Sequence, residues 1–158
     1  MQQILQNEFF QIYVAFLGSL GFSILFHITG SRLFFASLGG AIAWGVYLLF
    51  GKFFPNEVLR FFLASLFTTV YGEIMARVQK SPTTTYLVPA IVPLIPGGSL
   101  YYTMNDAVRG EWDSFSERGL FTLKLALALA AGIIVVTSLT AIVKDLIQKG
   151  KRSGKKEG

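Results

Sequence analysis

Between Phe61 and Met104 the chain reads FFLASLFTTVYGEIMARVQKSPTTTYLVPAIVPLIPGGSLYYTM. One apolar run carries Glu73 and Arg77. A second follows at once and is interrupted by Pro89, Pro93 and Pro96, then by Gly97 and Gly98. Runs this long and this apolar belong in hydrocarbon. There, each freed backbone N–H or C=O costs several kcal/mol unless protein or cavity water satisfies it. A broken apolar helix beside embedded charge therefore reads as a polar site near the bilayer midplane, a pattern that points to transport.

The rest of the chain agrees with a membrane solvent. It has 158 residues, one domain's worth, of which 53% are hydrophobic and 15% charged, and its mean hydropathy is +0.55. The expected fold is an all-α integral membrane protein of about five transmembrane helices, near residues 9–28, 33–50, 57–79, 83–104 and 120–143. The fourth is broken at the Pro-x-x-Pro-Gly-Gly motif. Residues 1–145 form the membrane domain in this reading, and 146–158 a basic cytoplasmic tail.

Several function classes drop out. The absence of cysteine removes disulfides, thiolate metal sites and a cysteine nucleophile, and the single histidine, His27, argues against imidazole metal clusters and His-dependent triads. No metal and no cofactor is expected. The formal net charge is +5, but Lys149, Lys151, Arg152, Lys155 and Lys156 fall in the last ten residues with no aromatic residue between them. That cluster reads as a cytoplasmic topology signal, and no nucleic-acid partner is expected. The N-terminus lacks a basic n-region, so the first apolar segment should remain in the protein. Five crossings then leave the N-terminus outside.

Along the chain, Gly18 and Gly21 are expected to permit close helix approach, and Gly39 to Gly45 forms a small-residue packing centre. His27 should sit at the interface. Glu73 and Arg77 are four apart and share a helical face. As a site they would carry a coupling proton at the inner mouth of a pathway. The blander reading is an ion pair that ends the span, with Arg77 snorkelling to the headgroups.

In the fourth segment Pro93 and Pro96 each remove a backbone donor, while Gly97 and Gly98 let the chain bend or take positive φ. A helix restarting near Gly97 would present free N–H groups and a positive dipole end to a carboxylate. Ser99, Tyr101, Tyr102 and Asn105 follow within two turns as substrate-pathway candidates. The alternative is a kinked helix with an interfacial tyrosine belt. Asp106 to Arg118 reads as a solvated loop. The fifth helix should pack through Ala126, Ala130, Ala131 and Gly132, and Lys144 to Gly158 should be a disordered tail.

The run SPTTTYLVPAIVPLIPGGSLYYTM, followed after a polar stretch by Gly119-Leu120-Phe121-Thr122-Leu123 and an Ala-rich helix, resembles the threonine/serine exporter family. Within that family the chain is most similar to the small, separately encoded YjjB-like subunit, which corresponds to the C-terminal half of the fused members. Pro93, Pro96, Gly97 and Tyr102 match the family centre. The resemblance implies export of small hydrophilic metabolites: threonine and serine, or a dicarboxylate such as succinate. It also implies a larger partner subunit of the same family, in an oligomer in the bacterial inner membrane. With no nucleotide-binding motif in the sequence, the expected drive is the proton gradient. Two other classes compete with the exporter: a non-transporting membrane scaffold, and a membrane-embedded transferase. The second is disfavoured by the wide spacing of Glu73, Asp106 and Glu111, and the chain is expected not to be an enzyme.

Overall fold

The computed structural model describes the backbone of residues 7–154 and the side chains of residues 7–146. Among these residues every regular element is helical. They are α1 (Glu8–Leu25), α2 (Ser31–Gly51), α3 (Glu57–Val78), α4 (Thr84–Ile91), a 3-10 turn (Val92–Leu94), α5 (Gly97–Arg109) and α6 (Trp112–Gly154).

Local chemistry sets the ends. Asn7 and Asn56 are the N-caps of α1 and α3, and their side-chain oxygens accept from Phe9 N–H at 3.2 Å and Val58 N–H at 3.0 Å. At the other end of both helices the chain closes in a Schellman arrangement: Ile28 N–H reaches Ser23 C=O, and Ser81 N–H reaches Ala76 C=O. The left-handed residue in these closures is His27 (φ 57) after α1 and Lys80 (φ 47) after α3, where glycine is usual. Only α5 uses glycine there among these three, with Gly110 at φ 74.

Small residues let the helices approach. A Cβ on Gly40 would overlap the Ser19 side chain, one on Gly39 would lie 2.7 Å from Ala90 Cβ, and one on Gly132 would overlap the Ser65 hydroxyl and lie 2.9 Å from Phe62 C=O. Ala43, Phe61, Ala64, Leu94, Leu125, Ala128 and Leu129 form the main core. The buried hydroxyls of Ser23, Ser37, Thr68 and Thr69 each donate to a carbonyl of their own helix at 2.7–2.8 Å, so they occupy the interior without a partner helix. Outside, Phe67, Ile74, Ile134 and Leu139 are exposed. An apolar exterior over a small-residue interior is the arrangement expected where lipid is the solvent.

Among the described residues four helices are long and apolar enough to cross a membrane: α1, α2, α3 and α6. There are five if the bent pair 84–94 and 97–109 counts as one span. The two halves of that pair meet at 55°. The first half packs among α1, α2 and α3, whereas α5 lies along the beginning of α6. At one end of the bundle Lys52 pairs with Glu8 at 2.8 Å, and at the opposite end Lys144 meets Glu73 at 3.3 Å. The two ends of the described chain are thus at opposite ends of the bundle.

Four expectations need correction. A Cβ on Gly18 or Gly21 would meet nothing within 4 Å, so neither supports a close contact. Ala126, Ala130 and Ala131 are exposed. The packed face of α6 is Thr122, Leu125, Ala128, Leu129, Gly132 and Val136, where the larger side chains fill the groove of α3. The stretch 106–118 is two helix ends joined at Gly110 and Glu111, not a loop: α5 continues through Arg109 and α6 starts at Trp112; most of it is exposed, as expected, but Asp106 is buried. Lys144 lies inside α6, which remains helical through Gly154 in place of a disordered tail; residues 155–158 lie outside the described residues.

Candidate functional site

Glu73 sits in the last two turns of α3 and is only 9% exposed. Its neighbours come from three parts of the chain. Thr83, the N-cap of α4, donates its hydroxyl to Glu73 Oε1 at 3.0 Å. From α6, Lys144 Nζ donates to Oε2 at 3.3 Å. Arg77, one turn further along α3, lies 3.7 Å from the same oxygen. A buried carboxylate requires pairing and hydrogen bonding, and here both oxygens have a donor. Both cations are more than half exposed, at 53% for Lys144 and 56% for Arg77, so the cluster opens to the end of the bundle. One turn into α4, Tyr86 is completely buried against Ala36 and Ala76, and its hydroxyl has no hydrogen-bond partner.

The sequence pair Glu73–Arg77 is therefore a real contact, and Arg77 is its weaker cation. The sequence reading missed Lys144 and Thr83. Lys144 is 71 residues from Glu73 and followed by a basic run, so it read as part of a topology signal. A lysine directly after Val143, at the end of the most apolar stretch, was the signal available.

The broken helix forms a separate region, more than ten residues further along the chain. Pro93 lies in the 3-10 turn and Pro96 is the N-cap of α5. The helix restarts at Gly97, and neither Gly97 nor Gly98 has positive φ. Both are exposed, with open space where a Cβ would stand. A groove of about 300 Å³ beside the break is lined by Phe10, Gln11, Val14, Ala15, Trp44 and Pro93. Of the pathway candidates only Pro93 reaches it, and Gln11 and Trp44, joined by a 3.1 Å hydrogen bond, are its polar groups.

Past the break, Ser99 Oγ is 2.6 Å from Thr122 Oγ1 on α6, and Thr103 Oγ1 is 3.2 Å from the same atom. Asp106 is 3.3 Å from Arg118 Nε, close enough for an ion pair but not aligned as a hydrogen bond. These groups make a polar seam between α5 and α6. Tyr101 and Tyr102 are exposed, with the Arg118 guanidinium 5.8 Å from the Tyr102 ring, and Asn105 is half-buried. Ser99 and Tyr102 thus face α6 or its edge, and Glu73 and Arg77 stand at the other end of the bundle. The sequence candidates form two regions, not one.

Among the described residues no group of three or more acidic or histidine side chains is placed to hold a metal ion. A family model described as "Threonine/Serine exporter, ThrE" matches residues 11–139, from the first turn of α1 to the middle of α6. The chain belongs to the threonine/serine exporter family. No solved structure matches it. This exporter-family chain is a multi-pass membrane protein with an exporter-type transport role. The match takes in Glu73, Arg77, Thr83 and the whole of the break, and it ends five residues before Lys144.

Proposed function

We propose that the chain is the small subunit of a secondary-active, proton-driven exporter of small hydrophilic metabolites, with Glu73 as the proton-carrying group. The substrates in this reading are threonine and serine, or a dicarboxylate such as succinate. A larger subunit of the same family completes the transporter in the bacterial inner membrane. The observation that carries the reading is the buried Glu73 carboxylate, held by side chains from α3, α4 and α6 at the open end of a span. An ionisable group inside a membrane bundle is costly, and proton relays are among the uses that justify it.

The basic residues after Lys144 support a cytoplasmic C-terminus, and in this reading the Glu73 cluster lies at the cytoplasmic mouth. A partner subunit accounts for α5, which rests on α6 and leaves Tyr101, Met104 and Val108 exposed. The break supplies the second element of the pathway. Pro93, Pro96, Gly97 and Gly98 interrupt the helix, and Ser99, Tyr101, Tyr102 and Asn105 offer polar contacts beside its restart. The test is Glu73→Gln, reconstituted with the larger subunit in proteoliposomes under an imposed pH gradient. Gradient-driven efflux of serine, threonine or succinate is expected to be lost at unchanged yield and assembly. Efflux equal to wild type would return Glu73 to a structural ion pair and favour a scaffold role.

A further inference from the structure

Two facts about Glu73 meet at one atom. Its Oε2 is the acceptor for Lys144 at 3.3 Å, and Arg77 approaches the same oxygen at 3.7 Å. The remaining oxygen, Oε1, is held by the neutral hydroxyl of Thr83 at 3.0 Å. Of the two cations, Lys144 is the closer and the one on a different helix. The charged groups on the carboxylate are therefore Arg77 from α3 itself and Lys144 from α6, while α4 contributes the Thr83 hydroxyl.

An ammonium is a compact point charge with three donors, and a lysine ammonium is chemically equivalent to the ammonium of an amino acid. We infer that Glu73 and Thr83 form an ammonium-binding site, and that Lys144 fills it as a tethered stand-in when no substrate is bound. Proton, substrate ammonium and Lys144 then compete for one oxygen. This rests on the reading of Glu73 as the coupling group and adds to it the part of the substrate that is recognised.

The consequence for coupling follows from occupancy alone. A proton on Glu73 and an ammonium on Glu73 exclude each other, because either one satisfies the single negative charge. Mutual exclusion of proton and substrate is what exchange across a membrane in opposite directions requires. Between the two, Lys144 is the nearer cation on the buried carboxylate, beside Arg77 at 3.7 Å and the Thr83 hydroxyl, and a buried carboxylate is tolerated only when it is paired. The side chain is suited to leaving. It is 53% exposed, so its ammonium has water to return to. Arg77 is less suited, since it is fixed on the same helix as its partner and lies farther away. A carboxylate substrate without an ammonium, such as succinate, has no group to place on Glu73.

The experiment uses the full chain with its larger subunit in proteoliposomes and measures initial rates of serine efflux. Lys144→Gln removes the tethered competitor, so the KM for serine is expected to fall at least tenfold with no rise in kcat. Lys144→Arg restores a cation and should return KM toward the wild-type value. A purely structural role would raise KM or lower yield, and would not sharpen affinity. One arm needs no variant: in the wild type, ethanolamine, an ammonium without a carboxylate, should inhibit serine efflux, and acetate at the same concentration should not.

An unchanged or raised KM in Lys144→Gln overturns the inference, as does acetate inhibiting more than ethanolamine. Glu73→Gln separates this from the parent reading. If it retains pH-driven efflux, the coupling role of Glu73 fails. If it loses efflux while Lys144→Gln behaves as wild type, only the ammonium site fails.

Discussion

Gly132 offers the most direct measure of how the Glu73 cluster is held together. Here α6 lies tightly against α3: a Cβ added at Gly132 would lie 2.9 Å from the Phe62 carbonyl and would overlap Ser65. Ordinary contact begins near 3.4 Å, so in Gly132→Ala the two backbones must part by about 0.5 Å, or Ser65 must turn and the carbonyl contact stay compressed. Overpacking of this kind costs about 1–3 kcal/mol, and the better helix propensity of alanine returns about 1. The net loss is about 0–2 kcal/mol, which lowers Tm by up to roughly 8 °C for a domain of this size.

The comparison is Gly18→Ala, where the added Cβ meets nothing within 4 Å and propensity alone acts, so Tm should hold or rise. Both are measured by thermal unfolding in one detergent at one pH. Adding Ser65→Gly to Gly132→Ala should recover part of the loss and leave the part owed to the Phe62 carbonyl. If Gly132→Ala is as stable as Gly18→Ala, the close α3–α6 contact is wrong, and with it the alignment that brings Lys144 to Glu73.

Three further outcomes are expected. Pro96→Ala with Gly97→Ala should change Tm little, since Pro96 is the N-cap and Gly97 the first residue of α5, where proline and glycine escape the penalties they carry inside a helix. As a pathway element the break should also lose efflux at equal yield, and undiminished efflux would remove Pro93 to Asn105 from the site. His27→Gly and Lys80→Gly should each stabilise by up to about 1 kcal/mol, because a left-handed residue with a Cβ carries a penalty of that order; a fall in Tm for both would mean that the side chains contribute more than the strain costs. For topology, single cysteines at Asn7 and Leu146 should label from opposite faces of inside-out vesicles, with Leu146 on the cytoplasmic face. Labelling from one face would exclude an odd number of crossings.

The spans were legible because lipid imposes a length and an apolar composition on any helix that crosses it. The start of the third span near Glu57 and the restart near Gly97 were legible too, because helix starts are set by chemistry only two or three residues long. The errors share a cause. Asp106 to Arg118 is polar, and polarity alone suggested solvent. In the structure Asp106 is buried because α6 supplies Arg118 from twelve residues away, and the hydroxyls of Ser99 and Thr103 find Thr122 in the same way. Ala126, Ala130 and Ala131 looked like a packing face because small residues often make one, but which face of α6 turns inward is decided by α3. Lys144 was hidden for the same reason: its partner is 71 residues away, and nothing near it in sequence marks the pairing.

The length of α6 has a mechanical consequence. Its 43 residues, at 1.5 Å each, make a rod of about 64 Å, roughly twice the thickness of the hydrocarbon core. One end carries the seam with α5 and the other carries Lys144, and the tight contact at Gly132 lies between them. A rod held near its middle is a lever. Lys144 is twelve residues from Gly132, about 18 Å, and Trp112 is twenty, about 30 Å. A tilt of about 5° at Gly132 would swing Lys144 by about 1.6 Å and carry Trp112 about 2.6 Å the opposite way. The first movement is enough to take Lys144 off Glu73, and the second shifts the α5 hairpin at the far face. Spin labels at Ser116 and Leu146 should therefore move in opposite senses when Glu73 is occupied, and movement of one label alone would mean that α6 bends instead of pivoting.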